Sequence, residues 1–160
     1  MNRRMFHTQE NRHTLLAGPI LCRRSDAWLG HAYYFWWDEI DATKWGENSK
    51  GGSYQIYTAN IESDRVLDAV FNQQEYEFFI AALNRVAREF VEKTGRRPSK
   101  NYLCDYLNRR AKWRKELDVI LANDNPSGYD ELLPIPFRKR IQAAVYNNDC
   151  IKGFKLYKEQ

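Results

Sequence analysis

The sequence predicts an α+β domain. Strand-like segments near the N-terminus, strand-like segments near the C-terminus and an amphipathic helical pattern between them indicate this class. The 160 residues fall in the size range of one domain, and 43% hydrophobic with 29% charged residues is ordinary globular composition. We therefore expect a single domain over residues 1–160 with no linker, and no apolar run is long enough to cross a bilayer.

The first quarter of the chain predicts two strands separated by a short helical stretch. Residues 3–8 have strand composition, and residues 10–17 fit one or two helical turns that Gly18-Pro19 ends. The continuous aromatic run at 32–37 is typical of a strand buried on both faces.

A short helix and a third strand are expected next. Asp38 is a suitable N-cap, and Gly46 is expected to end the helix directly after Trp45. Gly51-Gly52 predicts a turn, and residues 53–61 have the composition of a strand.

The middle of the chain predicts two helices. An apolar stripe at helical spacing indicates a helix over residues 74–93, stopped by Gly95. That stripe consists of Phe79, Leu83, Val86 and Phe90. Ser99 can cap a second helix. We place a helical, basic segment at about 74–121, inserted between the N- and C-terminal strands. Residues 123–136 then predict a loop, and residues 140–146 and 151–157 predict two closing strands.

Positive charge is concentrated in one window of the helical middle. Residues 96–115 hold eight basic residues and one acid, although the net charge of the whole chain is only +4. Such a stripe suits a surface that faces phosphates, with Arg109, Arg110 and Arg114 as candidate nucleic-acid contacts and Trp113 as an exposed stacking residue. The alternative is a solvated helix face without a partner.

The cysteines and histidines predict neither disulfides nor a metal site. Cys22, Cys104 and Cys150 are odd in number and far apart, which is typical of reduced thiols in a cytoplasmic protein. The three histidines lack metal-ligand spacing. The apolar stretch at 15–22 is interrupted by Pro19 and does not fit a signal peptide.

Four motifs in a fixed order carry the functional information. They are Phe6-His7-Thr8, the segment Gly30-His31-Ala32-Tyr33-Tyr34-Phe35, Trp45 eleven residues after Tyr34, and Arg140-Ile141-Gln142-Ala143-Ala144-Val145-Tyr146-Asn147. In this order the sequence resembles the ADP-ribosyltransferase superfamily, on its diphtheria-toxin and poly(ADP-ribose) polymerase side. The resemblance covers both ends of the chain and omits the helical middle. It implies a split mixed sheet with a helical middle segment.

The resemblance implies that NAD is the substrate. By that resemblance, His7 binds the ribose on the adenosine side, and Thr8 stands where the family offers a glycine backbone to the nicotinamide amide. Tyr34 stacks on nicotinamide, Trp45 closes the other face of that ring, and Gly30 allows close approach of the strand to the ligand. His7, Tyr34 and Gln142 are then the catalytic candidates.

Gln142 departs from the family at its most important position. It occupies the place of the catalytic Glu, and a neutral amide cannot stabilise an oxocarbenium ion as an anion does. Glu75, Glu77 and Glu131 are candidates for a replacement carboxylate, with no sequence feature that chooses among them. A second interpretation places Gln142 on an edge strand, facing solvent.

The resemblance thus implies an NAD-dependent mono-ADP-ribosyltransferase. A toxin or anti-phage effector with a nucleic-acid or protein acceptor, and with an antitoxin or immunity partner, fits compact members of that family by analogy. The alternatives are a nucleic-acid-binding module and a catalytically inactive protein of the same fold.

Overall fold

The computed structural model describes residues 1–49, 53–124 and 139–160 and confirms the α+β class. The strands are β1 (Asn2–Glu10), β2 (Tyr33–Trp36), β3 (Tyr54–Glu62), β4 (Val66–Asp68), β5 (Val119–Asn123), β6 (Ile141–Val145) and β7 (Ile151–Glu159). The α-helices in these ranges are α1 (Glu39–Ser49), α2 (Gln73–Thr94) and α3 (Lys100–Asp105).

The seven strands form one mixed sheet in the order β4-β5-β6-β2-β1-β3-β7. The β4–β5 pair is parallel, and the remaining pairs are antiparallel. One paired position, Phe6 with Trp36, joins β1 to β2, whereas nine positions join β1 to β3. The sheet therefore consists of two parts that meet at a narrow junction.

Both faces of the sheet are packed. On one face, Met5, Phe35 and Ala143 belong to a fully buried cluster that draws residues from both parts of the sheet. On the other face, Phe79 of α2 packs against the β5–β6 region, and Ala42 of α1 packs beside Trp36. Since side chains alternate along a strand, the register decides which residues share each face.

Two boundaries predicted for the helices in the middle of the chain are confirmed, the end at Gly95 and the cap at Ser99. The side chain of Asn72 caps the first turn of α2, and Gly95 ends that helix in the left-handed conformation with φ of 67°. Ser99 caps α3 by accepting a hydrogen bond from the backbone of Tyr102 at 3.2 Å.

Three element predictions are wrong. Residues 10–17 are not helical, because β1 continues to Glu10 and His13 has a left-handed φ of 59°. The inserted helical segment is shorter than the predicted 74–121, because Val119–Asn123 is a buried strand. Gly46 lies inside α1 and does not end it.

Gly46 is required by a close contact with the sheet. A Cβ at this position would lie 2.4 Å from the ring of Tyr54, which is buried in β3. Tertiary packing therefore explains a glycine that the sequence alone indicated as a helix end. The turn predicted at Gly51-Gly52 and nearly all of the loop predicted at 123–136 lie outside the described residues.

Candidate functional site

Gln142 lies in the interior of the sheet. It is 8% exposed and pairs with Trp36 of β2 on one side and Ala122 of β5 on the other. Directly opposite residues share a face, so the Gln142 side chain lies on the same face as Trp36. The interpretation of Gln142 as a solvent-facing residue on an edge strand is therefore wrong.

Trp45 reaches this face of the sheet from α1. Its ring centroid lies 5.7 Å from that of Trp36, with the planes tilted by 45°. The helix is fixed to β1 because the Thr8 hydroxyl donates to the carbonyl of Ala42 at 2.7 Å, and to β3 because Gly46 contacts Tyr54. Thr8 thus holds in place the helix that carries Trp45.

Arg140 covers the same two indole rings. Its guanidinium carbon lies 4.3 Å from the ring centroid of Trp36 and 5.8 Å from that of Trp45. The side chain is 6% exposed, and its Nη2 lies 3.3 Å from Oδ2 of Asp124. Its Nε has no hydrogen-bond acceptor among the described residues. We call Trp36, Trp45, Asp124, Arg140 and Gln142 the tryptophan–arginine cluster.

Tyr34 shares the face of Trp36, two residues away along β2, but its side chain is directed elsewhere. Its hydroxyl donates to the carbonyl of Gly30 at 2.8 Å, and its ring packs against the core below α2. Burial raises the pKa of this hydroxyl far above its ordinary value. The ring in contact with Trp45 is that of Trp36.

His7 lies on the opposite face of the sheet from Gln142, because Phe6 is the β1 residue that pairs with Trp36. The His7 ring is 4% exposed and packs near Phe35 and Phe154, with centroids 5.3 and 6.0 Å away. Its Nδ1–H donates to the carbonyl of Tyr34 at 2.8 Å. His7 therefore contacts the candidate site through the backbone at the junction of the two parts of the sheet.

Gly30 has a φ of 86°, and a Cβ there would lie 2.8 Å from Oδ1 of Asn108. The same oxygen accepts a hydrogen bond from the backbone N–H of His31 at 2.8 Å. In this structure the close approach at Gly30 is thus to Asn108, which follows α3.

The basic candidates differ in their surroundings. Arg109 and Arg110 both pair with Asp105, at 3.1 and 4.0 Å, and the side chain of Arg109 is 80% exposed. Arg114, like Arg110, packs over a tyrosine ring, that of Tyr146 at 4.4 Å. Its Nε–H donates to a backbone carbonyl, so its contacts are with the protein itself.

Trp113 is half-buried and not an exposed stacking residue as expected from the sequence. Its indole N–H donates to the hydroxyl of Tyr106 at 3.2 Å, and its ring meets the edge of Phe78 at 5.4 Å. Packing between α2 and the segment after α3 accounts for this aromatic residue.

The carboxylates proposed from the sequence serve other purposes where the structure describes them. Glu75 accepts hydrogen bonds from the side chain of Asn72 and the backbone of Asp68, which stabilises the start of α2. Glu77 accepts from Gln73 at 2.8 Å on the exposed side of α2. Glu131 lies outside the described residues.

Three members of the tryptophan–arginine cluster were missed by sequence reasoning: Trp36, Asp124 and Arg140. The alternation of side chains along a strand could have indicated two of them. Arg140 is two residues from Gln142 and Trp36 is two residues from Tyr34, so each shares a face with a predicted site residue. Asp124 can be placed near Gln142 only from the pairing of β5 with β6, and β5 was not predicted from the sequence.

Within residues 1–49, 53–124 and 139–160, no group of three His, Cys, Asp or Glu side chains is placed to hold a metal ion. No helix in these ranges is long and apolar enough to span a bilayer. The three cysteines are free thiols, and burial raises the pKa of Cys104 and Cys150.

Comparison with known proteins adds no assignment to this geometry. The chain matches no protein-family model, no curated protein and no solved structure.

Proposed function

We propose that this chain binds NAD at the tryptophan–arginine cluster and transfers a single ADP-ribose unit to an acceptor. One observation carries the proposal: Gln142 and Trp36 occupy paired positions on one face of the sheet, and Trp45 from α1 packs against Trp36. Two of these three residues belong to the motifs on which the family resemblance rests. The narrow junction between β1 and β2 supports the split sheet of that family.

The chemistry of the cluster suits the nicotinamide ring. Arg140 places a flat cation on the face of Trp36, and the nicotinamide ring of NAD is also a flat cation that an indole face attracts. Because Arg140 covers Trp36 in this structure, NAD binding requires its side chain to turn away from that ring. Asp124, the ion-pair partner of Arg140, is 25% exposed, compared with 6% for Arg140 itself.

The other predicted site residues take supporting roles in this proposal. His7 holds the carbonyl of Tyr34 and so fixes the strand that carries Trp36. Gln142 positions a ribose hydroxyl through its amide. A neutral side chain at this position favours one transfer over repeated chain elongation.

Calorimetry with NAD tests the proposal on the wild type and on Trp45→Ala. We expect wild-type binding at up to millimolar NAD, weakened in the variant by about 1–3 kcal/mol, the scale of aromatic stacking on a planar ring. Trp37→Ala is the matched control, because Trp37 also carries a stacked arginine, Arg3 at 4.1 Å, but packs with the cluster on the other face. Absence of NAD binding by folded wild-type protein would refute the proposal.

A second candidate function, nucleic-acid binding, is favoured by the exposure of the basic window. All of its cations except Arg114 are exposed. Arg109→Ala together with Arg110→Ala should weaken binding to RNA or DNA and lower its salt dependence. A protein that makes fewer phosphate contacts releases fewer counterions from the nucleic acid when it binds. The same basic surface also suits an ADP-ribosyltransferase effector whose acceptor is a nucleic acid. In that role a protein partner would inhibit the effector. If the protein binds neither RNA nor DNA at low salt, nucleic-acid binding and a nucleic-acid acceptor are both excluded.

A further inference from the structure

The pairing of β5 with β6 brings a carboxylate to the candidate site. Ala122 pairs with Gln142 and Asn123 pairs with Ile141. The ladder continues one position further, because the backbone N–H of Asp124 donates to the carbonyl of Arg140 at 2.8 Å. Asp124 therefore shares a face with Arg140 and Gln142 and is the diagonal neighbour of Gln142. Such diagonal positions lie about 7–8 Å apart, which is within the reach of one ribose ring.

We propose that Asp124 is the carboxylate that stabilises the positive charge formed when NAD is cleaved, and that Arg140 positions it. This inference rests on the proposed function. It places at the end of β5 the negative charge that the family resemblance expects at position 142.

Two features distinguish Asp124 from the other carboxylates near the sheet. Its side chain is 25% exposed, so a ligand can reach it, and only its Oδ2 is needed for the contact with Arg140 at 3.3 Å. A carboxylate has further acceptor positions, so Oδ1 can receive a ribose hydroxyl. Glu75 and Glu77, in contrast, are engaged on α2.

Arg140 provides an independent observation that a ligand belongs here. Its side chain is 6% exposed, its guanidinium lies over Trp36, and its Nε has no acceptor in the described part of the chain. A buried donor without a partner is costly, and such groups are rare in folded proteins. Ligand oxygens close to Asp124 and Gln142 would satisfy it once Arg140 turns away from Trp36.

The chemical step is cleavage of the bond between ribose C1′ and nicotinamide N1. The electron pair of this bond moves to N1, which neutralises the nicotinamide ring, and the positive charge passes to the ribose as an oxocarbenium ion. Asp124, as an anion, stabilises this ion. Water or an acceptor hydroxyl then forms the new bond at C1′ and releases one proton. With water, the products are nicotinamide, ADP-ribose and that proton.

Nicotinamide release from NAD in water tests this role. We expect Asp124→Asn to lower kcat at least 100-fold, the scale of a lost electrostatic contact to the transition state, while calorimetry finds NAD affinity changed less than about threefold. Glu77→Gln is the matched control and should stay within twofold of wild type. Adding Gln142→Glu to Asp124→Asn should restore turnover at least tenfold, since the carboxylate then stands at the neighbouring position.

The outcomes separate the two proposals. If wild-type protein binds no NAD and releases no nicotinamide, the proposed function fails, and this inference fails with it. If the wild type is active and Asp124→Asn stays within twofold, the role of Asp124 is refuted while the proposed function stands. Because Asp124→Asn leaves Arg140 unpaired and can impair folding, the variant Asp124→Asn with Arg140→Gln removes both charges. The double variant must also lose turnover, and activity within twofold of wild type would refute the role.

Discussion

Replacement of Gly46 by Ala tests how closely α1 packs on β3. Helix propensity alone predicts that Ala stabilises the interior of a helix by about 1 kcal/mol relative to Gly. The structure predicts the opposite sign, because the new Cβ would lie 2.4–2.6 Å from three ring atoms of Tyr54. Tyr54 is 4% exposed and packs among Trp36, Ala42 and Ile56, so a movement of its ring would disturb that packing.

Overpacking of this kind costs typically 1–3 kcal/mol, which exceeds the gain in propensity. We expect Gly46→Ala to lower the free energy of unfolding measured in urea, and to lower Tm by several degrees. Gly18→Ala is the matched control, because nothing lies within 4 Å of its added Cβ, and it should be neutral or slightly stabilising. A Gly46→Ala protein as stable as wild type would show that α1 does not press against Tyr54.

Two further variants test buried polar contacts. His7→Ala should lower the free energy of unfolding in urea by about 2–4 kcal/mol, because the hydrogen bond to Tyr34 and the packing of the imidazole ring are lost. Unchanged stability together with loss of NAD binding would instead make His7 a ligand contact. Tyr34→Phe should lower the free energy of unfolding by about 0.5–1.5 kcal/mol at pH 8, so the wild type is the more stable protein by that amount. Because burial raises the pKa of the folded hydroxyl, this advantage of the wild type is complete below about pH 10, where unfolded tyrosine ionises, and declines above it. An advantage that stays constant to pH 11 would contradict that burial.

The sequence predicted elements whose signals are local. The apolar stripe of α2, its end at Gly95 and the cap at Ser99 depend on neighbouring residues, and all three are observed. The strand at Val119–Asn123 was missed, although its apolar run resembles a buried strand, because the surrounding helical and basic pattern extended over it. Gly46 was misread because its reason is a contact with Tyr54 in another strand.

The same difference between local signals and long-range contacts applies to the candidate site. Trp45 and Gln142 were identified from motif order, and their neighbours follow only from strand register. Register places Trp36 beside Gln142 and Arg140 beside Asp124, and it places His7 on the other face. A one-residue change of register would reverse these faces, and no composition rule fixes register for strands that are distant in sequence.

The central claim is that NAD binds beside Trp36 and Trp45, and the indole N–H signals of the five tryptophans test it directly. In a ¹⁵N NMR titration with NAD, with each signal assigned by a Trp→Phe variant, the signals of Trp36 and Trp45 should shift saturably. Those of Trp37, on the other face, and Trp113, below α2, should stay in place. Unchanged Trp36 and Trp45 signals at millimolar NAD, or saturable shifts confined to Trp37 or Trp113, would contradict the claim.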